Sequence, residues 1–401
     1  MARMKVLVIK WNSFGDIVPT YERRGSAVYT VAVDIHAEGE KLEHQKKQVN
    51  ESISDFKPDY VFSYNYHPWV SEICQMYETK YVSWVYDSPY LNLYHFSVPN
   101  PINYIFVFDY GIVEEFRREG VTTVYYLPLA VDKSRFAANR TAFGKNREKY
   151  NKFNSDISFV GSLYSEPKHR LYNKFDSVSP YAKGYLDAIT TSQKLVYGHN
   201  FLEELLTDEI EEEMQKAYHC DPNTVHAMSP KKLYSQFVLS RHVTEMERKD
   251  ILTLLGECGY LNKMRLSLYT NDTGVSVKGW NNQGPIDYYN EMPFVFAASK
   301  INLNISLRSI LTGIPLRAFD IMGMGGFLLT NYQSEFDEYF VKGEDYDYYE
   351  DYNDLVNKID YYLSHEKERM EIAQNGMKKV LHEHTLDKRI DEMENLLHEG
   401  R

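Results

Sequence analysis

Between Lys5 and Leu127, short apolar runs alternate with helical patterns at close spacing, and this alternation restricts the fold more than any other feature of the chain. The runs are Lys5–Lys10 (KVLVIK), Ser26–Val33, Asp59–Tyr64 (DYVFSY), Lys80–Tyr86 (KYVSWVY), Tyr104–Phe108 (YIFVF) and Thr123–Leu127. They are rich in β-branched and aromatic residues and apolar on both faces. Such runs read as strands of a parallel sheet covered by helices on both sides. Helices are predicted between them around Ile17–Arg24, over the charged stretch Glu38–Phe56, and at Ser71–Glu78 and Gly111–Glu119. Parallel strands joined by right-handed crossovers gather their functional loops at the strands' carboxyl ends. The loops Asn12–Asp16, Asn65–His67 and Asp87–Pro89 are therefore predicted to share one rim.

A second set of strands opens at Asp156–Val160 (DISFV) and runs into Gly161-Ser162, repeating the strand-then-glycine start of a nucleotide-binding half. At 401 residues the chain is too long for one ordinary core. It reads as an N-terminal domain over 1–135, a polar and basic linker over 136–155, and a C-terminal domain over 156–385. A final amphipathic helix over 386–401 could pack back on the first domain. Within the second domain, residues from about 168 to 249 are long, polar and helical (FLEELLTDEIEEEMQKAY) and read as an insertion. Strands resume at Met264–Tyr269 and Val275–Lys278, followed by a helix over Asp287–Ala298. The stretch Ile301–Tyr332 then reads as strand, loop (LTGIP), a helix over Leu316–Met324, a glycine turn, and a strand over Phe327–Thr330. Arg317 and Asp320 are three apart, hence on one helical face. A cation and a carboxylate at a helix start, with Gly325-Gly326 nearby, suit a phosphate and a polyol.

Bulk properties remove several function classes. Apolar residues make up 43% and charged residues 25%, which is globular, not disordered. The net charge of −12 argues against a surface that coats nucleic acid or an anionic membrane. Cys74, Cys220 and Cys258 are scattered, which fits neither a disulfide framework nor a zinc site and points to a reducing cytoplasm. No apolar run approaches the roughly 18 residues of a membrane-spanning helix. The start, MARMKVLVIKWN, goes directly into a strand, with too short an apolar core for a signal peptide.

Each candidate site residue also has a plainer reading. Gly161-Ser162 can let backbone amides approach a phosphate or form an ordinary tight turn, and the spacing does not choose. Lys168, His169 and Arg170 add cations there, or are a solvated face. Asp87, between Tyr86 and Ser88-Pro89, can orient a hydroxyl or serve in acid–base chemistry, or accept hydrogen bonds in a local turn. His67 is either a site imidazole or a half-buried loop histidine. The acidic run Glu344-Asp345-Tyr346-Asp347 contains a DxD spelling, but it lies in a longer acidic, tyrosine-rich stretch and is read as surface rather than metal ligand. No GxSxG, GxxxxGK[ST] or clean GxGxxG occurs, so hydrolase, P-loop and dehydrogenase readings lack support.

Several segments together carry a family resemblance. WNSFGD, PDYVFSYNYHPWVSEICQ, WVYDSPYLNLY, NYIFVFD and YYLPLAVD resemble the N-terminal domain of CgeB-like glycosyltransferases. DISFVGSLY, GPIDYYNEMPFVFAASKINLNISLRS, GIPLRAFDIMGMGGFLLTNY and IDYYLSHEKERMEIAQNGMKKVLHEHT resemble that group's C-terminal domain. The resemblance implies an α/β protein of GT-B fold, with two Rossmann-like doubly wound domains facing a cleft and a helical insertion in the second. It implies similarity to retaining, metal-independent family 4 transferases, with a nucleotide-diphosphate sugar as donor, a UDP-sugar foremost, and no cofactor or metal.

Residue by residue, the resemblance assigns Gly161 and Ser162 to the phosphate-facing turn, with Lys168 and Arg170 as further cations. Arg317 and Asp320 match the R-x-F-E segment whose carboxylate contacts donor hydroxyls. Gly325 and Gly326 match a turn bringing amides to the diphosphate. The acceptor would enter near Gly15, Asn65, His67 and Asp87, and catalytic roles would fall to Asp87, His67, Arg317 and Asp320. One departure matters. Family 4 enzymes often carry an E-x7-E pair; Asp320 stands at the second position and Thr312 at the first. A hydroxyl cannot supply that negative charge, so the donor pocket is expected to differ locally.

The leading expectation is a glycosyltransferase acting on a glycan or protein acceptor. A catalytically silent GT-B module that binds nucleotide sugar or glycan is the alternative, and an epimerase or phosphorylase on the same fold a third.

Overall fold

The structure, a computed structural model, describes residues 4–11, 15–220 and 228–399. It divides into two compact units. The first holds the described residues through Asp132 and those from His384 onward; the second holds Lys133 to residue 220 and Met228 to Glu383.

The first unit is built on six parallel strands, β1 (Lys5–Lys10), β2 (Ala27–Ala32), β3 (Tyr60–Tyr64), β4 (Lys80–Val85), β5 (Asn103–Val107) and β6 (Val124–Tyr126). They lie in the order β2-β1-β3-β4-β5-β6. The central strands are apolar throughout because helices cover both faces: Val6 to Ile9, Tyr60 to Phe62 and Tyr81 to Val82 are all buried. The helix Leu386–Glu399 belongs to this unit. Arg24 bonds Asp391 at 2.5 Å and Glu394 at 3.2 Å, and Arg389 Nε donates to the Pro128 carbonyl at 2.8 Å.

The second unit repeats the plan with β7 (Ser155–Val160), β8 (Leu266–Tyr269), β9 (Trp280–Asn282), β10 (Ser299–Asn304), β11 (Leu328–Asn331) and β12 (Asp347–Tyr349). Their order is β12-β11-β10-β7-β8-β9, again all parallel. Strand order reverses between β7 and β10. In doubly wound sheets, ligands bind beyond the carboxyl ends at that switch.

Three expectations change. Residues 136–155 are not a linker but largely two helices, Lys133–Gly144 and Arg147–Phe153, packed in the second unit. Phe136 and Phe153 are buried, Phe143 stacks on Phe294 at 6.0 Å, and Arg140 donates to the Gly323 carbonyl at 3.0 Å. Three phenylalanines bear that packing, too few for a periodic signal in so polar a stretch. Val275–Lys278 is not a strand; the strand is Trp280–Asn282, after Gly279 at φ +82°. Val275 and Val277 instead pack as partly buried residues against the sheet's core. The helix predicted over Asp287–Ala298 begins only at Met292, because Pro293 is tolerated only in a first turn. Asp287 holds the preceding turn through the amides of Tyr289 and Asn290.

The insertion is helical and has its own small core, in which Phe175, Leu186, Leu202, Ile210, Met214 and Tyr234 are buried together. Its last helix, Ser240–Asn262, runs on into the sheet's core. Val243 belongs to the insertion cluster, whereas Ile251, Leu252 and Leu255 pack with β7 and β8. No helix among the described residues is long and apolar enough to cross a membrane.

Candidate active site

In the first unit, three of the predicted residues come together at the carboxyl ends of β3 and β4. Asn65 follows β3 in the left-handed region at φ +57°, a conformation asparagine tolerates. Its Nδ2 donates to Asp87 Oδ2 at 2.7 Å, and its Oδ1 accepts from the Tyr86 amide at 3.1 Å. Desolvation pushes the Asp87 carboxyl above its ordinary value, against the lowering effect of the Asn65 bond, although the residue as a whole is exposed. His67 leads into the helix Pro68–Met76 and is buried beside Trp11, with ring centroids 6.2 Å apart. Trp11 also stacks on Tyr86 at 6.3 Å. Gly15 is described, but Asn12, Ser13 and Phe14 of the predicted rim lie outside the described residues.

Burial pushes the His67 imidazole down to about 4, with its hydrogen bond to the Tyr64 backbone opposing, and Nε2 has no partner among the described residues. His67 is therefore neutral at neutral pH, a base or acceptor rather than a cation. The unfolded chain takes up this proton near pH 6.5 and the folded one only near 4. Stability from this group is then complete above about pH 6.5 and falls by about 3 kcal/mol as pH drops through 4. Urea denaturation at a series of pH values is expected to show this loss in the wild type and a flatter curve in His67→Gln. Parallel curves would refute the assignment.

In the second unit, the carboxyl ends of β7 and β10 lead to Gly161, Ser162 and Arg317 of the predicted donor residues. Helix Leu316–Gly323 begins after Pro315, in the loop that leaves β10, and places Arg317 in its first turn. Arg317 Nη1 lies 3.9 Å from Asp320 Oδ2 and against Met292 Sδ, with the guanidinium 5.6 Å from the Phe296 ring. Asp320 is buried and accepts from the Tyr288 hydroxyl at 3.0 Å. Arg135 lies over the Tyr288 and Tyr289 rings at 5.1 and 5.0 Å. Tyr288 and Arg135 were not anticipated; Tyr288 sits in the DYY run after β9, where no spacing ties it to Asp320.

After β7, the Gly161 amide is used: it donates to the Tyr269 carbonyl at 3.0 Å, extending the ladder with β8. Ser162 Oγ accepts from the Tyr164 amide at 3.1 Å, and the Ser162 carbonyl accepts from Arg248, a residue absent from the sequence-based site. Lys168 is exposed in the turn Pro167–His169. Arg170 pairs with Glu245 at 3.3 Å and lines a separate cavity of about 270 Å³ with Leu163, Ser165, Lys249 and Val277.

One expectation about the donor pocket is corrected. Gly325 and Gly326 lie at the amino end of β11, the rim opposite the switch point. Their amides close the end of helix Leu316–Gly323, donating to Met322 and Ile321 carbonyls at 2.8 and 3.0 Å, so neither is available to a diphosphate. Gly326 is required by packing instead: a Cβ there would stand 2.6 Å from Asn302 Nδ2 and 2.7 Å from the Phe296 carbonyl. At Thr312 a carboxylate approaches from elsewhere in the fold. Thr312 Oγ1 donates to Glu335 Oε1 at 2.7 Å, and the Glu335 amide donates to the Thr312 carbonyl at 3.2 Å. Glu335 enters from the loop after β11 and is buried.

The acidic DxD run is tied into the fold. Asp347 accepts from Lys358 at 2.9 Å and the Tyr362 hydroxyl at 2.8 Å, and Asp345 from Lys379 at 3.2 Å.

With this geometry in view, comparison with known proteins is informative. Residues 247–395, which include Arg248, Arg317, Asp320 and Glu335, match the family described as Glycosyl transferase-like. No curated protein sequence matches the chain. Among solved structures it is similar to a glycosyltransferase from Rickettsia africae ESF-5, with a TM-score of 0.53 at 10% identity over 100% of this chain and 99% of that one. It is equally similar to sucrose-phosphate synthase from Thermosynechococcus elongatus, with a TM-score of 0.53 at 11% identity over 99% of each chain. Anabaena HepE in complex with UDP and glucose gives 0.51 at 10% identity over 99% of this chain and 100% of that one. The fold is GT-B. At these identities the likeness concerns the fold alone.

Proposed function

We propose that the protein is a glycosyltransferase of CgeB-like type that moves a sugar from a nucleotide-diphosphate sugar to a glycan or protein acceptor. The observation that carries this reading is the Arg317–Asp320–Tyr288 cluster at the switch point of the second sheet, inside the segment that matches the Glycosyl transferase-like family. A UDP-sugar is the proposed donor, supported by the UDP and glucose bound to HepE, a protein of the same fold. In this reading the bond from the sugar's C1 to the diphosphate oxygen breaks with its electrons passing to the diphosphate. A new bond forms from C1 to the acceptor oxygen, whose proton is released. Arg317 is placed to take up the charge that develops on the diphosphate, and preorganised charge of this kind is a large contributor to catalysis. Asp320, oriented by Tyr288, is the proposed partner of donor hydroxyls. Asn65, His67, Asp87 and Gly15 are assigned to the acceptor side, where neutral His67 is suited to accept a hydrogen bond and Asp87, its carboxyl raised by desolvation, to take up the acceptor's proton. Retention at C1, independence from metal and a cytoplasmic location complete the proposal; three free thiols suit a reducing compartment.

A thermal-shift panel of nucleotide sugars tests the donor, because a ligand that binds only the folded state raises the midpoint by mass action. Stabilisation by a UDP-sugar, followed by release of UDP when acceptor is added, is the expected result. The anomeric configuration of the product, read by NMR, tests retention. Turnover is expected to be undiminished in EDTA; a strict divalent-ion requirement would count against a guanidinium-based mechanism. Binding with no release of UDP under any acceptor would count against an enzyme.

A further inference from the structure

Arg248 is a buried charge without a paired counter-charge. It projects from helix Ser240–Asn262 and is only 8% exposed. Its terminal nitrogens donate to the carbonyls of Ser162 and Ile305, and its Nε has no partner. The guanidinium lies 5.4 Å from the Phe159 ring and 5.1 Å from the Tyr164 ring. Among the described residues no carboxylate pairs with it. Its chain neighbour Glu247 is committed to Arg308 at 2.8 Å and to the Tyr197 hydroxyl at 2.5 Å. Burial lowers its affinity for its proton, and the positive charge of Arg317 adds to that effect while Tyr164 and Glu247 oppose it. A guanidinium kept in the interior without a paired carboxylate is expensive, and it persists where it holds something in place or awaits an anion.

The position of the two carbonyls shows what it holds. Ser162 follows β7 and Ile305 follows β10, the two neighbouring strands between which the sheet order reverses. Bare carbonyls at that rim would point partial negative charge toward an incoming anion. Arg248 caps both and replaces them with a fixed positive charge, close enough to Arg317 for the two to repel. We propose that Arg248 is a positioning residue for an anion site at this switch point, clipping the Gly161-Ser162 turn to the loop that leads to Arg317 and leaving a net positive charge that a diphosphate completes. The inference rests on the nucleotide-sugar reading only for the identity of the anion. It also assigns the region taken from sequence as an insertion a direct part in the site.

Binding of UDP, uridine and inorganic pyrophosphate to wild type, Arg248→Met and Arg248→Lys, measured by calorimetry below the melting temperature of each, tests this. Arg248→Met is expected to weaken UDP and pyrophosphate by about tenfold or more, with uridine changed by less than about twofold. Arg248→Lys keeps the charge but loses the planar fork, and is expected to fall between the two. Unchanged UDP and pyrophosphate affinity in Arg248→Met would overturn the proposal. So would a parallel loss of uridine binding, the mark of a collapsed loop. If Arg248→Met fails to fold, wild-type pyrophosphate affinity in Arg248→Lys overturns the clip. Wild-type protein that binds pyrophosphate but not UDP would remove the nucleotide-sugar reading and leave the anion site standing; wild type that binds neither would overturn both.

Discussion

Replacing Arg317 by alanine is expected to lower sugar transfer by about 10²–10³-fold, the usual effect of removing one preorganised donor from a developing oxyanion. The far-UV circular dichroism should stay native. The side chain is half-buried in the first turn of helix Leu316–Gly323, and its 3.9 Å separation from Asp320 is too long for a tight ion pair. The charge is thus held in place without being neutralised, by the Phe296 ring and Met292 as much as by Asp320. Little stability should go with it, because a loosely paired, partly exposed arginine contributes modestly to folding. The loss should appear in kcat more than in KM if the guanidinium acts on charge that develops only as the C1–O bond breaks. Steady-state kinetics with a saturating UDP-sugar separates the two. Wild-type turnover in Arg317→Ala would remove the residue from the mechanism, whereas a rise in KM alone would make it a ground-state binder.

The sheets were legible in the sequence because parallel strands buried on both faces leave unbroken β-branched runs, as at VLVI in β1 and YVF in β3. Where that signal shortens it misleads. The Val275–Lys278 run looks more like a strand than Trp280–Asn282, yet Gly279 turns the chain between them and the three-residue strand lies after it. The candidate site was legible where its residues share one helix, as Arg317 and Asp320 do. It was not legible where the chemistry is assembled from distant segments. Tyr288 meets Asp320 across 32 residues, Glu335 meets Thr312 across 23, and Arg248 reaches carbonyls 86 and 57 residues away. The Gly325-Gly326 pair illustrates the converse. A glycine pair says that backbone must pass closely, but not at which end of the sheet, and here it passes under a helix end at the rim away from the site.

Replacing Glu247 by alanine is expected to destabilise the protein by about 3–5 kcal/mol, because it strands a buried arginine. Arg308 leaves β10 in the loop that follows Ile305, and its three nitrogens are all engaged. Nε bonds Glu247 at 2.8 Å, while Nη1 and Nη2 donate to the carbonyls of Val196 and Lys194, each at 2.9 Å. Tyr197 lies 4.1 Å under the guanidinium and donates to the second Glu247 oxygen, and Asn200 donates to the Arg308 carbonyl at 3.0 Å. Helix Ser240–Asn262, the 194–200 loop of the insertion and the loop after β10 therefore meet at one ion pair. Breaking it from either side leaves an unpaired buried charge, whereas removing both charges leaves none. Glu247→Ala and Arg308→Met should each lose more stability in urea denaturation than a surface change does. The double substitution Glu247→Ala with Arg308→Met should cost less than the two single losses added together. Singles within about 1 kcal/mol of wild type would show that the pair is not needed for the fold. The functional consequence separates a latch from a mere prop. The loop that Arg308 anchors also carries the Ile305 carbonyl held by Arg248 and leads to Arg317. The double variant, folded but without its latch, is thus expected to bind UDP more weakly than wild type, with uridine binding reduced alongside because the whole loop loosens. Selective loss of diphosphate binding alone would assign the effect to charge at Arg248 and not to the latch.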